Sequence, residues 1–149
     1  AAPKDIAKAV SSMQSHTTSN ACSIAQYASV AALESEESDK FIEKMQKTFD
    51  ERRIYMVKTL QAIKGVVLPE PKGAFYVFAD VSAFYGKSFQ GEKVTGSLSF
   101  AELALKKGVA VVPGIAFGDD GCIRLSYAIS IEDIKEGLKR LAEFIAELK

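Results

Sequence analysis

Apolar residues recur along the first part of the chain with the spacing of amphipathic helices. Three helices are predicted from this period, at residues 4–14, about 21–34 and 39–64. The polar run 15–20 is expected to end the first helix, and residues 35–38 are expected to interrupt the chain like a hinge before the third. Gly65 is expected to end the third helix as a left-handed cap.

Strand patterns begin after Gly65. Residues 73–81 carry apolar side chains at both odd and even positions, which predicts a central strand covered on both faces. Shorter strands are predicted at residues 66–68 and 109–112. Residues 82–99 are rich in glycine and serine and have no clear period, so we expect a long, mobile surface excursion there.

Two helices complete the predicted layout. Residues 100–107 form a helix closed by Gly108, and a longer helix follows residue 130. Its start has a capping-box pattern in Ser130 and Asp133, with Ile129 and Ile134 as a hydrophobic staple. Its inward-facing residues are predicted to be Ile134, Leu138, Leu141, Ile145 and Leu148.

This order of elements predicts an α/β fold with two layers. A small mixed or antiparallel sheet of about three or four strands is expected to pack against the helices. At 149 residues, of which 48% are hydrophobic, the chain is long enough for one globular domain with its own core.

One arginine stands inside a strand that otherwise looks buried. In residues 122–127 the side chains of Ile123, Leu125 and Tyr127 alternate with those of Cys122, Arg124 and Ser126. Arg124 therefore points away from the more apolar face. A permanent cation with a rigid fork of donors belongs at the wet edge of a sheet, in an ion pair, or in a cleft that receives an anion. The pattern leaves these three environments open.

The approach to this strand favours close packing. Four turn-forming residues, Pro113, Gly114, Gly118 and Gly121, precede Cys122, which predicts a tight, irregular loop pressed against another part of the molecule.

Charge and cysteine content narrow the classes of partner. Nineteen basic and nineteen acidic residues cancel, so neither nucleic acid nor an anionic membrane is an expected partner. Cys22 and Cys122 are isolated and expected to be small buried hydrophobes, and the single histidine, His16, is expected at the surface. With so few cysteines and histidines we expect neither a metal site nor a disulfide framework, and we expect the protein in the reducing cytoplasm.

The ends and the hydropathy of the chain give two further expectations. No apolar run approaches the length of a membrane span. The first ten residues lack both a signal-peptide core and an initiator methionine, so we expect an excised or processed fragment of a longer protein.

Three motifs in order resemble one enzyme family. They are SSMQSHTTSNACSIAQYASVAALE at residues 11–34, PKGAFYVFADVS at 71–82, and VVPGIAFGDDGCIRLSYA at 111–128. Together they resemble the C-terminal small domain of class I pyridoxal-phosphate aminotransferases of fold type I. The sequences of the three motifs most resemble those of bacterial aspartate aminotransferases.

The resemblance implies how the chain is organised and what the whole protein does. Residues 1–149 would be the small domain, with about 1–36 linking to a large cofactor-binding domain. The full-length enzyme would be a homodimer that moves an amino group between an amino acid, aspartate by resemblance, and a 2-oxo acid. The Schiff-base lysine of the family lies upstream of this chain, so the fragment is expected to be inactive alone and to bind no pyridoxal phosphate.

The resemblance also implies roles for four residues. Arg124 would bind the substrate α-carboxylate; the alternative is a structural ion pair. Phe75 would line the cleft, or be a plain core aromatic. Thr17 and Thr18 would lie on a loop that reaches towards the partner's active site, or would cap a helix.

Two candidates for other chemistry are rejected. Lys87 follows a glycine rather than a serine, so it does not match the cofactor lysine. The sequence GKS at residues 86–88 resembles the end of a phosphate-binding loop, but such a loop requires a glycine at position 81, which is Val81.

A different class of function stays open beside the enzyme hypothesis. A freestanding α/β ligand-binding or regulatory module would use Arg124 and the glycine-rich loop to hold a carboxylate. The coding sequence upstream of Ala1 distinguishes the two, because only the enzyme requires an in-frame segment with the lysine. Amino-acid specificities of class I enzymes other than aspartate also remain open.

Overall fold

Helices form the first part of the chain, and the computed structural model describes residues 1–18 and 20–149 of it. Helix α1 spans Lys4–Thr17, α2 spans Ser23–Glu34 and α3 spans Glu36–Gln61. Ser19, in the polar run that was predicted to end the first helix, lies outside the described residues. The described chain divides into two compact units, Ala1–Met45 and Gln46–Lys149.

The predicted end of α1 is wrong by three residues. The helix continues to Thr17 because polar hydroxyls bond back to carbonyls of the same helix. The Ser15 hydroxyl donates to the Ser12 carbonyl at 2.7 Å, and the Thr17 hydroxyl donates to the Met13 carbonyl at 3.0 Å. Serine and threonine are therefore compatible with the last turn, where their hydroxyls bond back to the preceding turn.

The hinge predicted at residues 35–38 shrinks to one residue. Only Ser35 is non-helical, with extended backbone, and its hydroxyl accepts the Glu37 N–H at 3.2 Å. A serine cap of this kind allows α3 to begin at Glu36. At the far end the helix stops at Gln61, three residues before its predicted end, so Gly65 does not cap it directly. Gly65 lies in the turn that follows, and its predicted left-handed conformation is confirmed by φ +98.

Nothing in α1 or α2 is buried within the described residues. Both helices expose apolar side chains, among them Ile6, Val10 and Met13 in α1 and Ile24, Tyr27 and Leu33 in α2. The amphipathic pattern correctly predicted the helices, but their apolar faces have no cover within the first unit.

The second unit contains a three-stranded antiparallel sheet within the described part of the chain. Strands β1 (Tyr76–Asp80), β4 (Val112–Pro113) and β5 (Cys122–Ser126) lie in the order β1-β5-β4. The predicted α/β fold with a small antiparallel sheet is confirmed.

The strand predicted to be central lies at an edge. On the side away from β5, β1 pairs with the described residues only through a bridge between Val67 and Asp80. The strand predicted at residues 66–68 is reduced to this bridge. Val77 and Ala79 are buried, whereas Tyr76 is 39% exposed and Phe78 is half-buried. Although both faces of β1 are apolar, only the face with Val77 and Ala79 is buried within this unit.

The surface excursion predicted at residues 82–99 is also wrong, while its predicted mobility stays a prediction. A 3₁₀ turn spans Ser82–Phe84, and a hairpin of β2 (Ser88–Phe89) and β3 (Glu92–Lys93) follows it. Phe84, Phe89 and Val94 are buried in the core. Two-residue strands are too short to show a period, which explains why the sequence pattern missed them.

Helices α4 and α5 cover the core of the second unit together with the end of α3, which contributes Met56, Val57 and Leu60. Helix α4 (Ser97–Leu105) begins three residues before its predicted start, and α5 spans Ile131–Glu147. The Ser130 hydroxyl caps α5 by accepting the Asp133 N–H at 3.0 Å. All five predicted inward residues are buried: Ile134, Leu138, Leu141, Ile145 and Leu148. None of the described helices has an apolar stretch long enough to cross a bilayer.

Candidate functional site

Arg124 occupies the middle of the central strand. It lies opposite Phe78 of β1 and opposite Val112 of β4. Its strand neighbours Ile123 and Leu125 are buried on the other face, while Arg124 is half-buried. The strand alternation predicted this orientation, and it is confirmed.

Two aromatic rings hold the Arg124 guanidinium. Its central carbon lies 4.4 Å from the centroid of Phe117 and 5.2 Å from the centroid of Tyr76. The Phe117 ring also meets Phe78 edge-on, with 6.2 Å between centroids. A cation over an aromatic face is attracted by the ring quadrupole, so these contacts fix the position of the charge.

The hydrogen-bond donors of Arg124 find no acceptor in the described residues. Neither an ion pair within 4.0 Å nor a side-chain hydrogen bond connects this guanidinium to residues 1–18 or 20–149. Arg53 and Arg140 differ, since Arg53 pairs with Glu70 at 2.7 Å and Arg140 pairs with Glu136 at 2.8 Å. Arg52 resembles Arg124 in having a ring contact alone within the described residues, but with one ring, Phe49, whose centroid is 5.7 Å away. A half-buried cation with unused donors is chemically suited to an external carboxylate.

The loop that carries Phe117 makes the predicted tight turns and packs closely at Gly114, whereas its residues 115–120 are exposed. A 3₁₀ turn spans Gly114–Phe117, and Gly118 follows in the left-handed conformation with φ +86. A Cβ on Gly114 would fall 2.3 Å from the carbonyl oxygens of Asp119 and Cys122, so glycine is required there for steric reasons. We call residues 114–121 the glycine loop.

The glycine loop is fastened to the start of α4 by polar contacts. One carboxylate oxygen of Asp120 accepts the Ser97 N–H at 3.0 Å and the Ser97 hydroxyl at 2.7 Å. The same hydroxyl accepts the Ile115 N–H at 3.1 Å, and Ser97 is completely buried. The Tyr85 hydroxyl donates to the Asp120 carbonyl. Every one of these groups is thus satisfied inside the protein.

Two titratable groups beside the glycine loop have raised pKa values. Burial, with nearby Asp120 and Asp80, raises the pKa of the Tyr85 phenol to about 12. Burial, with a hydrogen bond to Asp119, raises the pKa of the Cys122 thiol to about 11. Both groups are therefore neutral at physiological pH.

Phe75 lies just before β1 rather than beside Arg124. Its ring is 51% exposed and meets the Tyr76 ring edge-on, with 5.4 Å between centroids. Its carbonyl accepts the Tyr127 N–H at 2.8 Å. Phe75 therefore borders Tyr76, which in turn contacts Arg124, and its exposure does not fit a plain core aromatic.

Thr17 and Thr18 belong to the first unit and lie at the end of α1. Their hydroxyls donate to the carbonyls of Met13 and Gln14, at 3.0 and 3.4 Å. His16 is exposed, as predicted. Cys122 is buried as predicted, whereas Cys22 is exposed, because it precedes α2 in a unit without buried helix residues.

Lys87, the rejected lysine, lies in the hairpin region. Its Nζ is 6.0 Å from the centroid of the Phe84 ring. In the part of the chain that is described, no cluster of three metal-ligating side chains occurs.

Sequence reasoning found Arg124 but missed the residues that hold it. Tyr76 and Phe117 stood inside the quoted motifs, yet only the strand register and the loop path bring them to the guanidinium. Ser97 and Asp120 had no signal, since 23 residues separate the two partners of their hydrogen bond.

Comparison with known proteins identifies a family and close relatives. The family model for aminotransferase class I and II matches residues 1–141. An aspartate aminotransferase of Streptomyces avermitilis is 43% identical, over 99% of this chain and 36% of that protein. A probable aspartate/prephenate aminotransferase of Aquifex aeolicus is 40% identical, over 99% of this chain and 36% of that protein.

A solved structure matches nearly the full length of this chain. The crystal structure of the aspartate aminotransferase from Rhizobium meliloti superposes with a TM-score of 0.88 at 37% identity. The match covers 99% of this chain and 37% of that one. The chain thus spans little more than a third of the length of the relatives it matches.

Proposed function

The chain belongs to the family of class I and II aminotransferases, and from that premise we propose that it provides the substrate-carboxylate site of a pyridoxal-phosphate-dependent aspartate aminotransferase. The observation that carries the proposal is Arg124, a half-buried cation held by two rings and bonded to no acceptor in the described chain.

The chemistry of the guanidinium explains why it suits this role. An arginine fork presents paired N–H donors at the spacing of the two carboxylate oxygens, so it binds them in a planar, bidentate pair. Such a pair fixes the carboxylate plane and, with it, the direction of the substrate Cα–H bond that must be broken. Arg124 would thereby both bind the amino acid and orient it.

The aromatic neighbours support the same role. Phe117 and Tyr76 attract the guanidinium without accepting its conventional hydrogen bonds, so the donors stay available to a ligand. Their apolar surface also removes water from the guanidinium, which strengthens its attraction for an anion. Phe75, bordering Tyr76, would extend this apolar wall of the cleft.

The cofactor is assigned to the part of the protein outside this chain. Pyridoxal phosphate, when bound, withdraws electrons from the substrate Cα. The described neighbours of Arg124 are aromatic and aliphatic, and the Nζ of Lys87 faces the Phe84 ring. These residues do not fit the aldehyde or the phosphate of the cofactor. We therefore expect the isolated chain to bind no cofactor and to be inactive.

The exposed helices of the first unit fit a role as connecting segment. Apolar side chains on α1 and α2, such as Val10 and Tyr27, are more than half exposed. Residues 1–36 would cover these side chains against the large domain of a longer protein, in a cytoplasmic homodimer. In that dimer, Thr17 and Thr18 would approach the partner's active site.

Aspartate is proposed as amino donor on the names of the relatives, and a 2-oxo acid as acceptor. A second acceptor, prephenate, is supported by the name of the relative from Aquifex aeolicus. Both assignments place a carboxylate next to the reacting carbon, as Arg124 requires.

Assay of the full-length protein tests the activity. Loaded with pyridoxal phosphate, it should convert aspartate and 2-oxoglutarate to oxaloacetate and glutamate, while the 149-residue chain should produce neither. Replacing 2-oxoglutarate by prephenate tests the second acceptor. Absence of amino transfer from aspartate to either acceptor would refute the proposed activity, and carboxylate binding by the short chain alone would favour a freestanding module.

A further inference from the structure

The contact between Ser97 and Asp120 lies outside the carboxylate site but fastens the loop beside it to α4. Ser97 begins α4, and Asp120 lies near the end of the glycine loop. Neither side chain contacts Arg124. Phe117, which does, lies between the two points where this contact holds the loop, at Ile115 and at Asp120.

We propose that Ser97 and Asp120 form a clamp whose role is to position Phe117, and through it Arg124, for binding of the substrate carboxylate. This inference rests on the proposed function of Arg124. Both residues are positioning residues, because they act on the ligand only through Phe117.

The clamp joins a buried serine to an exposed loop residue, Asp120. Ser97 is completely buried, and its hydroxyl both donates to Asp120 and accepts from the Ile115 N–H. The Asp120 carboxylate faces the first N–H of α4, where the helix dipole favours a negative charge. Removal of Asp120 would leave the buried Ser97 hydroxyl without the acceptor of its hydrogen bond.

Glycine at position 96 allows the carboxylate to approach. A Cβ there would fall 2.6 Å from one Asp120 oxygen and 3.1 Å from the other. Because Asp120 is already held by Ser97, it has little freedom to move away. Gly96→Ala should therefore disturb the clamp without removing any of its polar atoms.

The position of Phe117 depends on the path of the glycine loop, because the ring is exposed and, apart from Arg124, meets only the edge of the Phe78 ring among the described ring contacts, with 6.2 Å between centroids. Its side chain is 51% exposed, and the adjacent Gly118 has an open, left-handed backbone. If the loop lost its bonds at residues 115 and 120, the Phe117 ring could move away from the guanidinium. Arg124 would then lose the closer of its two rings, at 4.4 Å rather than 5.2 Å.

The clamp is tested in the full-length holoenzyme by two ligands. Aspartate carries the α-carboxylate, whereas propylamine carries an amine and no carboxylate, and the cofactor absorbance reports the binding of both. Asp120→Ala and Gly96→Ala should lower the affinity for aspartate about tenfold and leave the affinity for propylamine unchanged. Asp120→Asn, which keeps the accepting oxygen, should restore most of the affinity.

A double substitution tests whether the effect runs through Phe117. In a Phe117→Ala background, Asp120→Ala should cost almost nothing more, whereas additive losses would overturn the clamp. Ser130→Ala serves as the matched control, since it removes a serine hydroxyl that caps α5 by accepting an N–H. It should leave the affinity for aspartate unchanged.

The outcomes separate the clamp from the function on which it rests. If Arg124→Ala weakens aspartate but neither Asp120→Ala nor Gly96→Ala does, the clamp is refuted and the carboxylate site stands. If Arg124→Ala has no effect on aspartate, the proposed function fails first. Equal weakening of aspartate and propylamine by the clamp variants would also refute a role in carboxylate binding.

Discussion

Phe117 lies against Arg124, with 4.4 Å between the centroid of its ring and the guanidinium carbon, although the two residues reach this contact from different elements. Arg124 is fixed in the central strand, and Phe117 ends a 3₁₀ turn in the glycine loop. The contact therefore depends on the path of the loop. It converts a strand arginine into a held cation whose donors remain unpaired in the described chain.

The Phe117 ring should contribute measurably to ligand binding. In the full-length holoenzyme, Phe117→Leu should weaken aspartate about threefold to tenfold, because it removes a cation–π contact with the guanidinium. Titration of aspartate against the cofactor absorbance measures the change. Ile115→Ala is the control, since its side chain is exposed in the same loop and contacts no part of Arg124. An equal loss in both variants would point to general loosening of the loop.

Two glycines should respond to alanine in opposite directions. Gly114→Ala should destabilise the 149-residue chain by about 1 to 3 kcal/mol, because the new Cβ overlaps two backbone oxygens. Gly137→Ala, inside α5 with open space around it, should stabilise the chain by about 0.5 to 1 kcal/mol. Urea unfolding of the two variants measures both changes. A stable Gly114→Ala variant would mean that the glycine loop is not packed as described.

Stability should fall at alkaline pH because burial raises the pKa values of three acids, Cys122, Tyr85 and Tyr127. Folding holds the protons of Cys122 and Tyr85 more tightly than the unfolded chain does, with pKa values of about 11 and about 12 against ordinary values of 9.0 and 10.0. Their stabilisation is complete below about pH 9 and is lost as the pH rises through the folded values. Urea midpoints from pH 7 to pH 11 should show this decline.

The matched variant for the alkaline decline is Cys122→Ala. It removes the thiol whose pKa is raised to about 11, so its urea midpoint should fall less between pH 9 and pH 11 than that of the parent chain. If the two declines are parallel, the Cys122 thiol does not contribute.

What the sequence could predict follows from the range of each interaction. The alternation of Ile123, Arg124 and Leu125 has the period of a strand, so it correctly predicted which face the arginine takes. The Ser130 cap and the buried face of α5 are equally local and were confirmed. Interactions within a few residues can be read from spacing alone.

The errors concern interactions over longer distances. The edge position of β1 follows from the strand order, in which β5 and not β1 lies in the middle. The burial of Phe89 depends on its packing against Phe144, with 5.2 Å between the ring centroids. The Ser97–Asp120 contact likewise joins a helix start to a distant loop. None of these has a period or a local motif, so only the folded chain reveals them.

The most direct measurement of the central claim is the affinity of the full-length holoenzyme for aspartate and for propylamine when Arg124 is replaced. Arg124→Ala should weaken aspartate about 100-fold or more, since each charge-assisted bond contributes ~1.5 to 3 kcal/mol. Propylamine should bind as before, and Arg140→Ala, which removes a surface arginine paired with Glu136, should change neither affinity. Undiminished aspartate binding by Arg124→Ala, or an equal loss for propylamine, would contradict the assignment of Arg124 to the substrate carboxylate.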